Sequence, residues 1–381
     1  METPQLQTQV TDFISRKFKF WSFISMFLLV FVHGYNLTDR YMQPWTMPGD
    51  PFTFTSFIEY FLANGIFRFR IPMLFIISGF LFAMHDNRPY GERTRKRLRT
   101  LLAPYLIWSA AGLAFTYFLE LFPYTRDIVF ASNIVRIDDS RALLHDYHWY
   151  EMLGKWILLP VPYQLWFLRV LLIYNIAYPA IRWCVTHRIA KWIFFSVAIL
   201  MWLGTMGFVL FEGEGLVFFS LGVWMQKRNF NIGAPRKWLK PLWWGIAFIL
   251  LASVKTVLAF MGKPFLGDAI FPVLIILHKL VILSGLIAAW FGCDRLVAWC
   301  MERKWFVWTT SFSFIIYAMH APLVAYAIEA LFAVVNQVPF YRMLSFILLP
   351  LAIIALSVGT GALLRKAWPQ MYGLVTGGRG M

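Results

Sequence analysis

Runs of about 18 or more mostly apolar residues recur along the whole chain, and such runs are the mark of helices that cross a membrane. A chain inside a bilayer has no water to satisfy its backbone N–H and C=O groups, so a series of these runs predicts a helical bundle. Ten segments are expected, at about 20–37, 67–84, 101–122, 164–182, 191–211, 214–226, 241–260, 271–292, 306–335 and 343–364. The sixth is short, so it either tilts little or borrows flanking residues. Composition agrees: 60% of residues are hydrophobic and 14% are charged, where a soluble domain carries roughly 25% charged. No repeat, low-complexity tract or linker divides the series. Residues 1–381 therefore read as one all-α polytopic membrane domain.

A net charge of +16 would suggest a nucleic-acid partner for a soluble chain. Here the positions of the charges give another explanation, and no nucleic-acid partner is expected. With the N-terminus inside, 23 of the 35 Lys and Arg fall in inner pieces, 7 in outer loops such as Arg40, and 5 within segments or at their mouths. Basic loops stay in the cytoplasm, so both termini are predicted to be cytoplasmic. The start, METPQLQTQVTDFISRKFKF, is polar and then basic, and no signal-peptide cleavage site precedes the first run. Cys184, Cys293 and Cys300 lack CxxC or metal spacing and fall near predicted cytoplasmic ends, where free thiols are expected; no metal site is predicted.

The first segment, KFWSFISMFLLVFVHGYN, carries His33 near its far end, and an ionisable ring in such a run faces either a polar interior or interfacial water. At a rise of about 1.5 Å per residue, His33, His320 and Lys255 each lie about 14 residues, or about 20 Å, above the inner face. Arg70, Arg169 and His278 enter from the other side and lie near the outer mouth. A common depth for six such side chains predicts a shared cavity in the outer half. Scattered snorkelling to headgroups is the competing explanation, strongest for Arg68 and Lys279. Histidine is the usual general base near neutral pH and can accept an acyl group, while Arg and Lys can stabilise an oxyanion. Glu120 and Glu329 stand near outer ends and Asp39 in a loop, so no carboxylate is expected beside the histidines. That absence favours group transfer over a proton-coupled carrier. There is no Walker loop, HExxH or GxSxG, and the GTGAL stretch of the last segment reads as a helix-packing element.

Six stretches in order, FVHGYN, FRFRIPMLFIISGFLF, KRLRTLLAPYLIWS, YQLWFLRVLLIYN, FFSLGVWMQKR and SFSFIIYAMHAPL, resemble the bacterial membrane acyltransferase 3 family. That family includes O-antigen O-acetylases and the succinyltransferase of periplasmic glucans. The resemblance covers most of the chain. Its most diagnostic elements are an arginine eight residues before Ser-Gly-aromatic and a tyrosine three residues before His-x-Pro. It implies a multi-pass enzyme of the bacterial inner membrane with His33 as catalytic histidine, Arg70 as its partner, and His320 as the late functional histidine. Ser78 and Gly79 match a Ser-Gly pair read as close helix contact, and Trp166 and Phe167 match an LWFL element with Arg169 following. Many members have an arginine eleven residues before the first histidine. This chain has Ser22 there, which puts cofactor entry in doubt and leaves Lys19 as a substitute.

The resemblance further implies acetyl-CoA or a related acyl-CoA as donor and a hydroxyl of a glycan or glycolipid at the outer face as acceptor. Lys19, Arg93, Arg97 and Arg99 would attract the nucleotide end of the donor, although positive-inside bias alone accounts for most of that charge run. Arg169, Trp166, Tyr147 and Trp149 would meet the sugar, with His148, Tyr150 and Trp156 beside them, while an interfacial aromatic belt explains the same residues equally well. Whether His33 acts as base or is itself acylated stays open. So does direct transfer against use of a separate transfer protein. The alternative function is a carrier for a glycan or lipid-linked sugar, in which the same cavity performs no chemistry.

Overall fold

The computed structural model describes residues 11–38 and 42–381, which are helical apart from turns and one isolated bridge between Gly207 and Glu212. Asp39 and Arg40, both expected in the first outer loop, lie outside the described residues. The first helix, α1 (Asp12–His33), is capped by the Thr11 hydroxyl, which accepts from the Ile14 N–H at 3.3 Å. For 38–66 the sequence predicts a polar loop with a short amphipathic piece, DPFTFTSFIEYFLANGIF, and the structure has helix in that piece. α2 (Phe54–Tyr60) continues through a π turn, Phe61–Gly65, and a 3-10 turn, Ile66–Phe69, into α3 (Arg70–Met84). The wider π ring leaves the Asn64 carbonyl able to take an outside donor, and Lys255 Nζ supplies it at 2.6 Å.

The path goes on through α4 (Ala103–Leu119), a short α5 (Trp149–Ile157) in the long connection, and α6 (Trp166–Ile176). α7 (Tyr178–Thr186) follows at a bend of 66°. Pro179 explains the bend, since it has no N–H for the ladder and its ring displaces the preceding turn. Then come α8 (Ala190–Leu203), α9 (Gly213–Lys227), α10 (Pro241–Met261), α11 (Ile270–Gly292), α12 (Ser313–Val335) and α13 (Tyr341–Ala367). Each of the ten predicted segments thus contains helix. Among the described residues six helices are long and apolar enough to cross a membrane, or seven if the bent pair is one span. α8 and α9 have only 14 and 15 residues, about 21–23 Å of rise against a hydrocarbon core of about 30 Å. The chain is a multi-pass helical membrane protein.

α1 packs between α3 and α12, and α3 lies along α9. Their backbones touch: a Cβ on Gly79 would stand 2.1 Å from the Phe219 carbonyl oxygen, and one on Gly222 would stand 2.2 Å from that of Ile76. The Ser78–Gly79 pair therefore does what its small size suggests. At the far end of α3, Asp86 collects Arg93 at 2.8 Å, Arg182 at 3.3 Å, Lys227, and the Tyr178 hydroxyl at 2.7 Å. Burial alone would raise this carboxyl, but Lys227, Tyr178 and Arg182 outweigh it and hold it below its ordinary value. One carboxylate ties together the ends of α3, α7 and α9.

Candidate active site

α1 delivers His33 to the edge of a cavity of about 500 Å³. Tyr163 Oη lies 2.7 Å from His33 Nδ1 and fixes the ring. Behind it stands His320, fully buried, with the ring centroids 5.2 Å apart. His320 Nδ1 is 3.1 Å from the Ile316 carbonyl and 2.9 Å from that of Tyr317, and both can only accept. The proton of the neutral ring therefore sits on Nδ1. That leaves Nε2 a bare acceptor, with no hydrogen-bond partner among the described residues.

The neighbouring proline explains how Tyr163 reaches this place. Pro322 has no N–H, so the Ala318 carbonyl one turn earlier lacks its helical donor. Gln164 Nε2 fills the gap, donating to Ala318 O at 2.9 Å and Tyr317 O at 3.2 Å. The Tyr317 hydroxyl returns a bond of 2.7 Å to the Gln164 carbonyl. Gln164 is thereby locked onto α12, and its neighbour Tyr163 is set against His33.

Arg68, Arg70, Arg169, His278 and Lys279 also line the cavity. Arg70 starts α3, is 5% exposed, and donates from Nη1 to the Phe67 carbonyl at 2.8 Å. Arg68 donates to the Met42 carbonyl at 3.0 Å, and Arg169 to that of Leu158. The Nε atoms of all three arginines are buried without a partner, and no ion pair among the described residues includes them or Lys279. Lys255 forms a second layer, 3.0 Å from His278 Nδ1. Arg68 and Lys279, for which snorkelling is the strongest competing explanation, both line this cavity. One expectation needs correction. Two carboxylates line the same cavity as His33 and His278, both from the start of α9: Glu212 at its N-cap and Glu214 in its first turn. Glu212 Oε2 caps α9 by accepting from the Gly215 N–H at 3.2 Å, and Trp202 Nε1 donates to Glu214 at 3.2 Å.

The structure brings together His33, Arg70, Arg169, Trp166 and Phe167 on the cavity wall, with His320 behind. Tyr147 is not among them: it is buried in a separate apolar cluster with Val129 and Leu144 and donates to the Val135 carbonyl. Trp149 is 76% exposed and lines a shallow apolar groove with Tyr117 and Trp156. Lys19 and Arg99 are exposed, while Arg93 is held by Asp86 and lies over the Phe82 and Tyr178 rings. Arg97 also stacks on Phe82. Tyr163 and Gln164 carry no signal of their own in the sequence beyond adjoining the LWFL element. The three cysteines are free.

The profile of a family described as an acyltransferase domain matches residues 20–365. Succinoglycan biosynthesis protein ExoH of Rhizobium meliloti (strain 1021) is 24% identical over 362 residues, covering 92% of this chain and 89% of its own length. No solved structure matches. The profile spans the helices that carry His33, Arg70, Arg169 and His320, and the chain belongs to the acyltransferase 3 family.

Proposed function

We propose that this chain is an O-acyltransferase of the bacterial cytoplasmic membrane, moving a short acyl group from cytoplasmic acyl-CoA to a hydroxyl of a glycan at the outer face. The observation that carries the reading is His33, held by Tyr163 and backed by His320, at a cavity lined by three arginines that take part in no ion pair among the described residues. The name of the relative, a protein of succinoglycan biosynthesis, supports a polysaccharide acceptor. The excess of Lys and Arg in the inner pieces supports ten spans with both termini cytoplasmic. In that orientation Lys19 and Arg99 meet the nucleotide end of the donor, and the thioester arm reaches the cavity from within.

His33 removes the proton from the acceptor hydroxyl. The oxygen then attacks the thioester carbonyl, forming the new C–O bond. Negative charge on the carbonyl oxygen is met by Arg70 and Arg169. The C–S bond breaks, and the departing CoA thiolate takes the proton from the His33 imidazolium. His320 acts through His33, as a positioning residue. The test is thioester cleavage of labelled acetyl-CoA by purified protein with a glycan acceptor. His33→Ala is expected to lose about a hundredfold or more of the rate. An unchanged rate in that variant removes the residue on which the mechanism stands, and binding of the glycan without thioester consumption means a carrier.

A further inference from the structure

A second space adjoins the basic cavity. It is an apolar groove of about 390 Å³ between α8, α9 and α11, lined by Ile199, Leu203, Ile276 and Leu280 among others. Ile276 and Leu280 are 55% and 42% exposed, so the groove opens sideways from the bundle, toward lipid in a membrane. Trp202 and Lys279 line both spaces, so the groove ends where the cations begin. Lys279 is 5% exposed, rests 5.1 Å from the centre of the Trp202 ring, and takes part in no ion pair among the described residues. A lysine placed at this depth is costly unless an anion or water meets it.

We propose that this junction binds a lipid phosphate that carries the acceptor sugar, with one hydrocarbon chain in the groove and the phosphate at Lys279 and Arg68. Two features favour that occupant. The cavity holds Arg68, Arg70, Arg169 and Lys279 against Glu212 and Glu214, a surplus that neither an uncharged sugar nor a thioester requires. The groove is open to the lipid side and meets this charge at a single point, which suits a molecule with an apolar tail and an anionic head. Free phosphate would leave the groove without a purpose, and the phosphates of CoA lie at the far end of its arm from the acyl group. Arg68 lines the same cavity and takes part in no ion pair among the described residues, so its guanidinium gives the phosphate a second donor. The sugar then extends from the phosphate toward His33. The sugar's role rests on the acyltransferase reading above; the binding of the lipid does not.

The test measures binding of undecaprenyl phosphate to the purified full chain in nanodiscs, with undecaprenol and phosphatidylglycerol as comparison lipids. Acetyl-CoA cleavage is followed in the same preparations. The phosphate lipid should bind at least about tenfold more tightly than the alcohol, and phosphatidylglycerol should not displace it. Lys279→Gln should lose about tenfold in affinity, and Leu280→Trp, which fills the groove from an exposed position, should lose as much. Leu200→Trp, 66% exposed and outside the groove, should change nothing. Each variant is judged only if it elutes as a single species. Equal binding of the alcohol, full displacement by phosphatidylglycerol, or normal affinity in both groove variants overturns the proposal. If acetyl-CoA is consumed but the lipid does not bind, only this inference fails. If the lipid binds but no thioester is consumed, it is the acyltransferase reading that fails.

Discussion

At the residue scale, three hydrogen-bond contacts decide what His33 can do. Tyr163 holds Nδ1, and the backbone carbonyls of Ile316 and Tyr317 fix the proton of the ring behind it. Tyr163→Phe removes one hydroxyl and keeps the ring, so the fold should persist while kcat falls by about ten- to a hundredfold at unchanged KM. Steady-state kinetics on monodisperse protein checks this, and a change confined to KM would assign Tyr163 to substrate binding. His33, Arg70 and Arg169 could be found from their place in apolar runs, because a charge there needs a reason. Tyr163 could not, because a tyrosine near a helix end is ordinary and its partner is 130 positions away. Arg68 and Lys279 were open to misreading for another reason. Distance from a run's end gives depth but not the rotation of the helix, and rotation decides between a headgroup and a cavity.

Among the elements, each of the ten segments that hydropathy marks contains helix, because a bilayer leaves a long apolar run no other solution. The helix before Arg70 answers to the amphipathic piece expected within 38–66, whereas nothing in the apolar runs singles out the carboxylates that begin α9. The fixed point at the other end of these elements is Asp86, with its partners on three helical ends. Asp86→Asn should lower stability by about 1–3 kcal/mol, since it leaves the buried Arg93 and the half-buried Lys227 without their counter-charge. The sign of its pH dependence follows from the lowered carboxyl. The contribution is complete above the unfolded value and disappears as pH falls through the folded one. Thermal unfolding in detergent should therefore separate wild type from variant at neutral pH, and the gap should narrow as pH falls below the ordinary carboxyl value of about 4. A gap that widens in acid would contradict the assignment.

For the whole molecule, the distribution of Lys and Arg makes a single prediction of sidedness, and two native thiols can report on it. Cys184, in α7, and Cys293, just after α11, are partly exposed and belong to the cytoplasmic side in the ten-span arrangement. A membrane-impermeant maleimide should leave both unlabelled in intact cells and react after permeabilisation; labelling from outside would reverse the topology. The main helices are properties of one stretch of chain at a time, so they are legible in order along the sequence. The site is a property of several stretches at once. Pro322 shows how the chain nevertheless writes such information locally. Deleting a single N–H leaves one carbonyl on α12 that no residue of its own helix can satisfy, and only a distant amide, Gln164, completes it. The missing donor works as an address. Its helix cannot finish its own bonding until the segment bearing Tyr163 has arrived, so assembly of the site and completion of the helix become a single event.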